Sequence, residues 1–296
     1  MSLRMRLVSG ALSPVVRAAF THAQNPVPLR DGVDLAAKLS LPVQLSAEVT
    51  HDALGLPGMW IRPPDCDDER VILFFHGGGY IAGSPETHKR LASRLAQLAN
   101  RPVFLPAYRL APEHPLPAAF EDALVVWDAL VASGYSPQEI TIGGDSAGGG
   151  LALTLLAELC QRGAPPAGAF GWSPFTDLTL SSPSFETNAE RDHFFPPERA
   201  RDLTAMILGS SSPEDPQVSP IFARFPNCPP VLLQASECEI LRDDSVRMAA
   251  HLREEGAEVV LRLTEGAPHV WQMFDGFFPE ARQAIEETAE FLKALN

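Results

Sequence analysis

The residue whose surroundings single it out for chemistry is Ser146, at the centre of Gly144-Asp145-Ser146-Ala147-Gly148. The β-branched run Ile140–Ile142 precedes it and a helical pattern, Ala147–Gln161, follows, so the stretch reads as strand, sharp turn and helix. Such a turn lifts a serine hydroxyl above a sheet, where it can attack a carbonyl carbon, and small residues two positions either side let the turn close. The N–H of Ala147, at the helix N-terminus, can then donate to the charge developing on the carbonyl oxygen. The bland alternative is a glycine-rich turn with an incidental serine. A second signal weakens it: His76-Gly77-Gly78-Gly79 directly follows the apolar run Val71–Phe75. Adjacent glycines let backbone N–H groups approach a tetrahedral intermediate, so Gly77 and Gly78 are expected to complete an oxyanion hole with Ala147. A dinucleotide fingerprint competes at Gly77-x-Gly79-x-x-Ala82. Asn100, Arg101 and Pro102 stand where its acid is needed, however, and Pro85 interrupts its helix. A phosphate loop at Ser146 would need a lysine that is absent.

A nucleophilic serine needs a base at the same end of the sheet, beyond the carboxyl ends of the strands. His269, in Gly266-Ala267-Pro268-His269-Val270-Trp271, follows the strand pattern Val259–Leu263 and meets that requirement. His22, His51 and His193 lie outside the alternating core, His88 opens a helix, His114 sits in a proline-rich loop and His251 falls mid-helix. The acid that orients the base should follow the penultimate strand, Val231–Gln234. Glu237, Glu239, Asp243 and Asp244 all do so, and composition does not choose among them.

The elements that must position these groups alternate from residue 71 onward. Strand patterns at Val71–Phe75, Val103–Leu105, Ile140–Ile142, Ala169–Trp172, Val231–Gln234 and Val259–Leu263 interleave with helical patterns. The helices are read at His88–Asn100, Leu116–Ala132, Ala147–Gln161, Asp243–Glu255 and Pro279–Ala294. That order predicts an α/β fold with a mostly parallel sheet covered on both faces. Residues 45–62, with Pro57-Gly58 at a turn, predict an antiparallel hairpin at one edge. Residues 1–44 and 180–220 stand outside the alternation and are expected to form a lid over a core of residues 45–179 and 221–296.

Composition bounds the partners. The 296 residues carry 37 acids against 23 bases, a formal charge of −14, which repels phosphate backbones and anionic membranes. Nucleic acid and stable membrane association are therefore not expected. Apolar residues make up 45%, enough for a full core, and no run approaches a membrane span. Cys66, Cys160, Cys228 and Cys238 lie far apart without C-x-x-C spacing, so no metal site is read and reduced thiols are expected. The N-terminal Leu7–Phe20 pattern is broken by Pro14 and Arg17 and suits an amphipathic helix as well as a signal peptide, giving a cytoplasmic expectation.

Taken together, the motifs resemble the hormone-sensitive-lipase-like (family IV) bacterial carboxylesterases of the α/β-hydrolase superfamily. The resemblance rests on His76–Gly79, Tyr108-Arg109-Leu110-Ala111-Pro112-Glu113-His114-Pro115, Gly144–Gly149, Trp172-Ser173-Pro174 and Pro268–Trp271. It implies an α/β-hydrolase fold with a helical cap, hydrolysis of a small-molecule ester, no cofactor, and in many members a homodimer. Short to medium acyl groups are expected because the apolar lid candidates Phe20, Phe194, Phe195, Met206 and Ile207 would line a closed, finite pocket. The family's acid stands in a stretch that matches Glu239-Ile240-Leu241-Arg242-Asp243, which points to Glu239 and leaves Asp243 to cap the following helix. Two alternatives share the fold: a non-catalytic small-molecule binding protein, disfavoured by an intact Ser146 and His269, and a lactonase, arylamidase or deacetylase using the same residues.

Overall fold

A computed structural model describes residues 47–295 apart from 193 and 196, together with residues 2–5, 7, 9, 10, 13, 27 and 30. Eight strands form one sheet: β1 Glu48–Leu54, β2 Leu56–Arg62, β3 Val71–Phe75, β4 Val103–Pro106, β5 Ile140–Asp145, β6 Gly168–Trp172, β7 Val231–Ser236 and β8 Val259–Thr264. Their order is β1-β2-β4-β3-β5-β6-β7-β8. β1 pairs antiparallel with β2 and β2 antiparallel with β4; every other pairing is parallel. Between the strands run α1 Pro85–Ala99, α2 Ala118–Ala132, α3 Ala147–Gln161, α4 Ser184–Thr187, α5 Pro197–Leu208, α6 Arg242–Glu254 and α7 Pro279–Ala294.

Period-two alternation along the strands feeds both faces of the sheet. In β3, Ile72 and Phe74 join a cluster with Leu91 and Leu95 of α1 and Ile285 and Leu292 of α7. Val71, Leu73 and Phe75 point the other way, into a larger cluster with Trp127 of α2, Leu151 and Leu155 of α3 and Met248 of α6. All five β3 residues are buried, as a parallel strand covered on both faces requires.

Two local expectations are corrected. The hairpin turn lies at Gly55, whose φ of +73° admits the reversal, whereas Pro57 and Gly58 lie inside β2, paired with Ala53 and Asp52. Pro85 opens α1 instead of interrupting a helix. Ser84 caps that helix, its hydroxyl accepting from Thr87 N, and proline is preorganised for the first helical position. A cap of this kind contributes about 1 kcal/mol.

The stretch 173–230 separates β6 from β7, with α4 and α5 inside it. Of the expected lid, residues 180–220 are described except 193 and 196. Most of residues 1–44, Phe20 included, lies outside the described residues. Arg30 is described: its guanidinium donates to the carbonyls of Ile81 and Ala111 and pairs with Glu113.

Candidate active site

The carboxyl ends of β3, β5, β7 and β8 deliver four loops to one edge of the sheet. Ser146 closes the turn from β5 to α3 at φ 52° and ψ −120°, a conformation sparsely populated by residues with a Cβ. The surroundings hold it there. Ser146 N donates to Trp172 O at 2.8 Å, while Ser146 O accepts from Gly150 N and Phe175 N, both at 3.0 Å. A Cβ on Gly144 would meet Phe75 O at 2.4 Å, and one on Gly148 would meet the same oxygen at 2.1 Å. The glycines two residues either side therefore let the turn press against the end of β3.

His269 follows β8 and Glu239 follows β7. His269 Nδ1 lies 2.6 Å from Glu239 Oε2, with the imidazole 7% exposed and the carboxylate buried. Glu239 Oε1 accepts from Ser236 N at 2.9 Å, so both carboxylate oxygens are engaged. The Ser236 hydroxyl donates to Ala267 O and accepts from Cys238 N, tying the acid loop to the histidine loop. Asp192 accepts from Ile240 N, and Asn188 donates to the carbonyls of Glu237 and Glu239. The segment after β6 thus grips the acid turn. The far imidazole nitrogen, His269 Nε2, is buried without a partner among the described residues and borders a cavity shared with Ser146. Burial disfavours the imidazolium, but the Glu239 carboxylate outweighs it through its charge and its hydrogen bond, so the His269 pKa is raised above 6.5.

The four acids left open by composition are separated here. Glu239 alone among them bonds the histidine. Asp243 lies in the first turn of α6 but pairs with Arg242; the N-terminus of α6 has no side-chain cap, which corrects the capping expectation. Asp244 is fully buried, accepting from Thr176 N, Asp177 N and the Ser182 hydroxyl, and burial pushes its carboxyl up to about 7.

The expected oxyanion donors divide differently. Gly77 N–H donates to Asp145 Oδ1 at 3.0 Å. A Cβ on Gly77 would stand 2.2 Å from Asp145 Oδ2. Gly77, expected in the hole, has its donor engaged by Asp145. Gly78 borders the cavity containing Ser146 and His269, and Gly79 borders both cavities at Ser146. Ala147 begins α3 directly after Ser146. Asp145 also faces His88 Nε2 at 3.2 Å, and His88 Nδ1 meets Thr87 Oγ1 at 2.8 Å. Tyr108 stacks on His76 at 4.2 Å and donates its hydroxyl to His76 O at 2.6 Å. Burial drives the His76 pKa down to about 3, with the neighbouring His88 adding to the effect. The imidazole is therefore neutral at working pH, a structural partner for this loop. Sequence reasoning missed Asp145, His88 and Gly79 as participants here; the motif contained Asp145 and Gly79, but no spacing rule showed where Gly77 N–H points.

Two cavities meet at Ser146, and Ser146, Gly79 and Phe195 border both. The smaller, about 60 Å³, has walls from α5 and the acid turn, including Leu203, Ile207, Ile240 and Leu241. The larger, about 240 Å³, is bordered by His269, Phe194, Phe195, Met273 and Phe274. Met206, expected among the lining residues, packs instead against the main core. The Phe195 ring meets His269 edge-on at 4.7 Å. Among the described residues, no group of three or more His, Cys, Asp or Glu is arranged to hold a metal ion. None of the helices described is long and apolar enough to cross a membrane.

A parallel sheet with a strained serine turn on one strand, a carboxylate-bonded histidine on another and clustered glycines on a third defines the class of α/β serine hydrolases. Residues 72–273 match the model of a family described as alpha/beta hydrolase fold. An acetyl-hydrolase of Streptomyces hygroscopicus is 35% identical over 79% of this chain and 78% of its own length. An esterase of Acinetobacter venetianus is 37% identical over 77% of this chain and 76% of its own. The crystal structure of an esterase from the bacterial hormone-sensitive lipase family superposes with a TM-score of 0.93 at 36% identity, covering 100% of this chain and 99% of that one. The chain belongs to the α/β-hydrolase family, in its hormone-sensitive-lipase-like esterase branch, and is a carboxylesterase.

Proposed function

We propose that the chain hydrolyses esters of short to medium acyl acids, with Ser146 as nucleophile, His269 as general base and acid, and Glu239 as the group that orients His269. Ser146 Oγ attacks the carbonyl carbon as its proton passes to His269 Nε2. The N–H groups of Gly78, Gly79 and Ala147 hold the oxyanion, with Gly79 in the role first expected of Gly77. His269 then protonates the leaving alcohol, and a water activated by the same nitrogen releases the acid. Glu239 keeps the proton on Nδ1, so that Nε2 can accept. The walls contributed by residues 180–220 serve as the cap that closes the acyl site.

The observation that carries this reading is the 2.6 Å contact between Glu239 and His269 Nδ1, with Nε2 left unpartnered beside Ser146. A panel of p-nitrophenyl esters from acetate to palmitate, with Ser146→Ala as the blank, tests it. The rate is expected to climb through short acyl groups and then fall, because each added methylene contributes about 0.8 kcal/mol only until the cavity is full. A rate still rising at palmitate, or no turnover of any ester, contradicts the reading. Hydrolytic removal of acetyl groups is a second reading, supported by the relative named acetyl-hydrolase.

A further inference from the structure

We infer that Arg30 is a positioning residue for the oxyanion donors: its guanidinium fixes the loop that follows Gly78 and Gly79 against the chain at Ala111, and so sets the aim of their N–H groups. This rests on the assignment of Gly78 and Gly79 to the oxyanion hole above. It adds to that machinery a residue from outside the α/β alternation.

The loop needs holding. Gly78, Gly79 and Gly83 have φ of +118°, +62° and +88°, and Tyr80, which carries a Cβ, sits among them at +57°. Such backbone persists where its surroundings over-determine it. Within the loop, Gly78 O accepts from Ile81 N at 3.2 Å and from Ala82 N at 3.0 Å. Beyond it, Tyr80 O accepts from Ala111 N at 2.8 Å. Those bonds leave the carbonyls of Ile81 and Ala111, both in buried residues, and among the described residues no backbone N–H donates to either. Arg30 supplies both donors: Nε donates to Ile81 O at 2.8 Å and Nη2 to Ala111 O at 2.5 Å. A buried carbonyl stripped of its donor is costly, so without the guanidinium both would turn toward water and carry the loop with them.

The guanidinium is itself oriented. Nη1 and Nη2 donate to the two carboxylate oxygens of Glu113 at 2.9 and 3.0 Å, a bidentate pair that holds the Glu113 carboxyl below its usual range. The Glu113 side chain is 42% exposed, and so open a pair contributes little to stability. What it does is set the plane of the fork, so that Nε and Nη2 face the two carbonyls together. An ammonium, with its donors on one atom, cannot span the same acceptors. The effect reaches the cleft within two residues, because Ile81 borders the smaller cavity together with Gly79 and Ser146. Asp145 engages the near side of the loop at Gly77 N, and Arg30 engages the far side at Ile81 O. The donors at Gly78 and Gly79 therefore lie between two anchored points, and a donor aimed at developing charge loses its effect when it is displaced.

Hydrolysis of p-nitrophenyl acetate by the purified full chain carrying Arg30→Ala, with phenylboronic acid as inhibitor, tests this. Ser146 Oγ adds an electron pair to boron as its proton passes to His269, and a hydroxyl on the now tetrahedral boron stands where the oxyanion would. The inhibition constant therefore reports the donors in a way that KM does not. In Arg30→Ala, kcat is expected to fall roughly ten- to thirtyfold with KM within about threefold of wild type, and the inhibition constant to rise by a factor similar to the fall in kcat. Arg30→Lys, which keeps the charge opposite Glu113 but not the fork, is expected to recover less than about a third of the lost kcat, and it carries the test alone if Arg30→Ala does not fold. Glu113→Gln, whose amide oxygen still accepts from the guanidinium, is expected to lower kcat by no more than about threefold. A kcat within about twofold of wild type in the Arg30 variants, or a loss confined to KM with the inhibition constant unmoved, overturns the role of Arg30 and leaves the esterase reading intact. Glu113→Gln as damaging as Arg30→Ala moves the effect from the loop carbonyls to the ion pair and also overturns it. No turnover by the wild type overturns the esterase reading and this inference with it.

Discussion

Glu239→Gln is expected to lower kcat by a factor on the order of 10²–10⁴ while leaving the fold intact. The size follows from the two bonds of the carboxylate. Ser236 N–H donates to Oε1 at 2.9 Å and His269 Nδ1 lies 2.6 Å from Oε2. A glutamine in this site has one acceptor and one NH₂ group. Aiming its oxygen at Ser236 N–H turns the NH₂ toward Nδ1, which then must accept, so the imidazole proton moves to Nε2 and blocks the deprotonation of Ser146. The opposite rotamer restores the tautomer but sets NH₂ against the buried Ser236 N–H, at a cost of about 1–3 kcal/mol. In either orientation the imidazolium that forms during attack loses a charge-assisted bond, worth about 1.5–3 kcal/mol more. The combined loss of about 2.5–6 kcal/mol corresponds to roughly two to four decades in rate. Steady-state hydrolysis of p-nitrophenyl acetate measures it, with Asp243→Asn as the control, since that carboxylate pairs with Arg242. The acid limb of the remaining activity should also move to lower pH, because the charge that raises the His269 pKa is gone. A kcat within tenfold of wild type in Glu239→Gln, or a collapse in Asp243→Asn, refutes this account of the orienting acid.

In the wild type, activity should rise with pH, since the neutral imidazole is the base, and the midpoint in kcat/KM should fall above 6.5 because Glu239 raises the His269 pKa. A midpoint at or below 6.5 contradicts that environment. Ser146→Ala should cost about 10⁵–10⁶ in kcat, and residual activity above about a hundredth of wild type would reassign the nucleophile. Asp145→Ala should lower kcat roughly ten- to hundredfold with little change in KM, because Gly77 N–H loses its acceptor and the glycine loop its register. Asp145→Asn, whose amide oxygen can still accept, should recover most of that loss; equal kcat in the two variants means that Asp145 does not position the loop. Gly148→Ala should unfold at markedly lower temperature or fail to fold, since its Cβ would stand 2.1 Å from Phe75 O; a wild-type melting curve would show that the turn has room to spare.

The buried strands and the serine turn were legible in the sequence, whereas the hairpin turn at Gly55 was not. Val71–Phe75 and Ile140–Ile142 declared themselves as buried strands, since a run of apolar residues in a β-α alternation has few other places to go. Gly144 and Gly148 marked the serine turn because the close approach it needs is met within five residues of chain. His269 was found by its order after a strand. The remaining decisions were tertiary. Glu237, Glu239, Asp243 and Asp244 are equivalent by composition, and a contact across 30 residues of chain, braced by Asn188 and Asp192 from another segment, makes Glu239 the partner of His269. Gly77 and Gly79 are likewise equivalent as letters, and Asp145, at the end of β5, engages the N–H of Gly77. The sizes of the two cavities depend on where α5 and the acid turn come to rest above Ser146. Periodicity and turn chemistry are encoded within a few residues, so a single chain displays them. A hydrogen bond or a cavity wall between distant segments exists only once the sheet has fixed their distance, and the sequence on its own carries no measure of that distance.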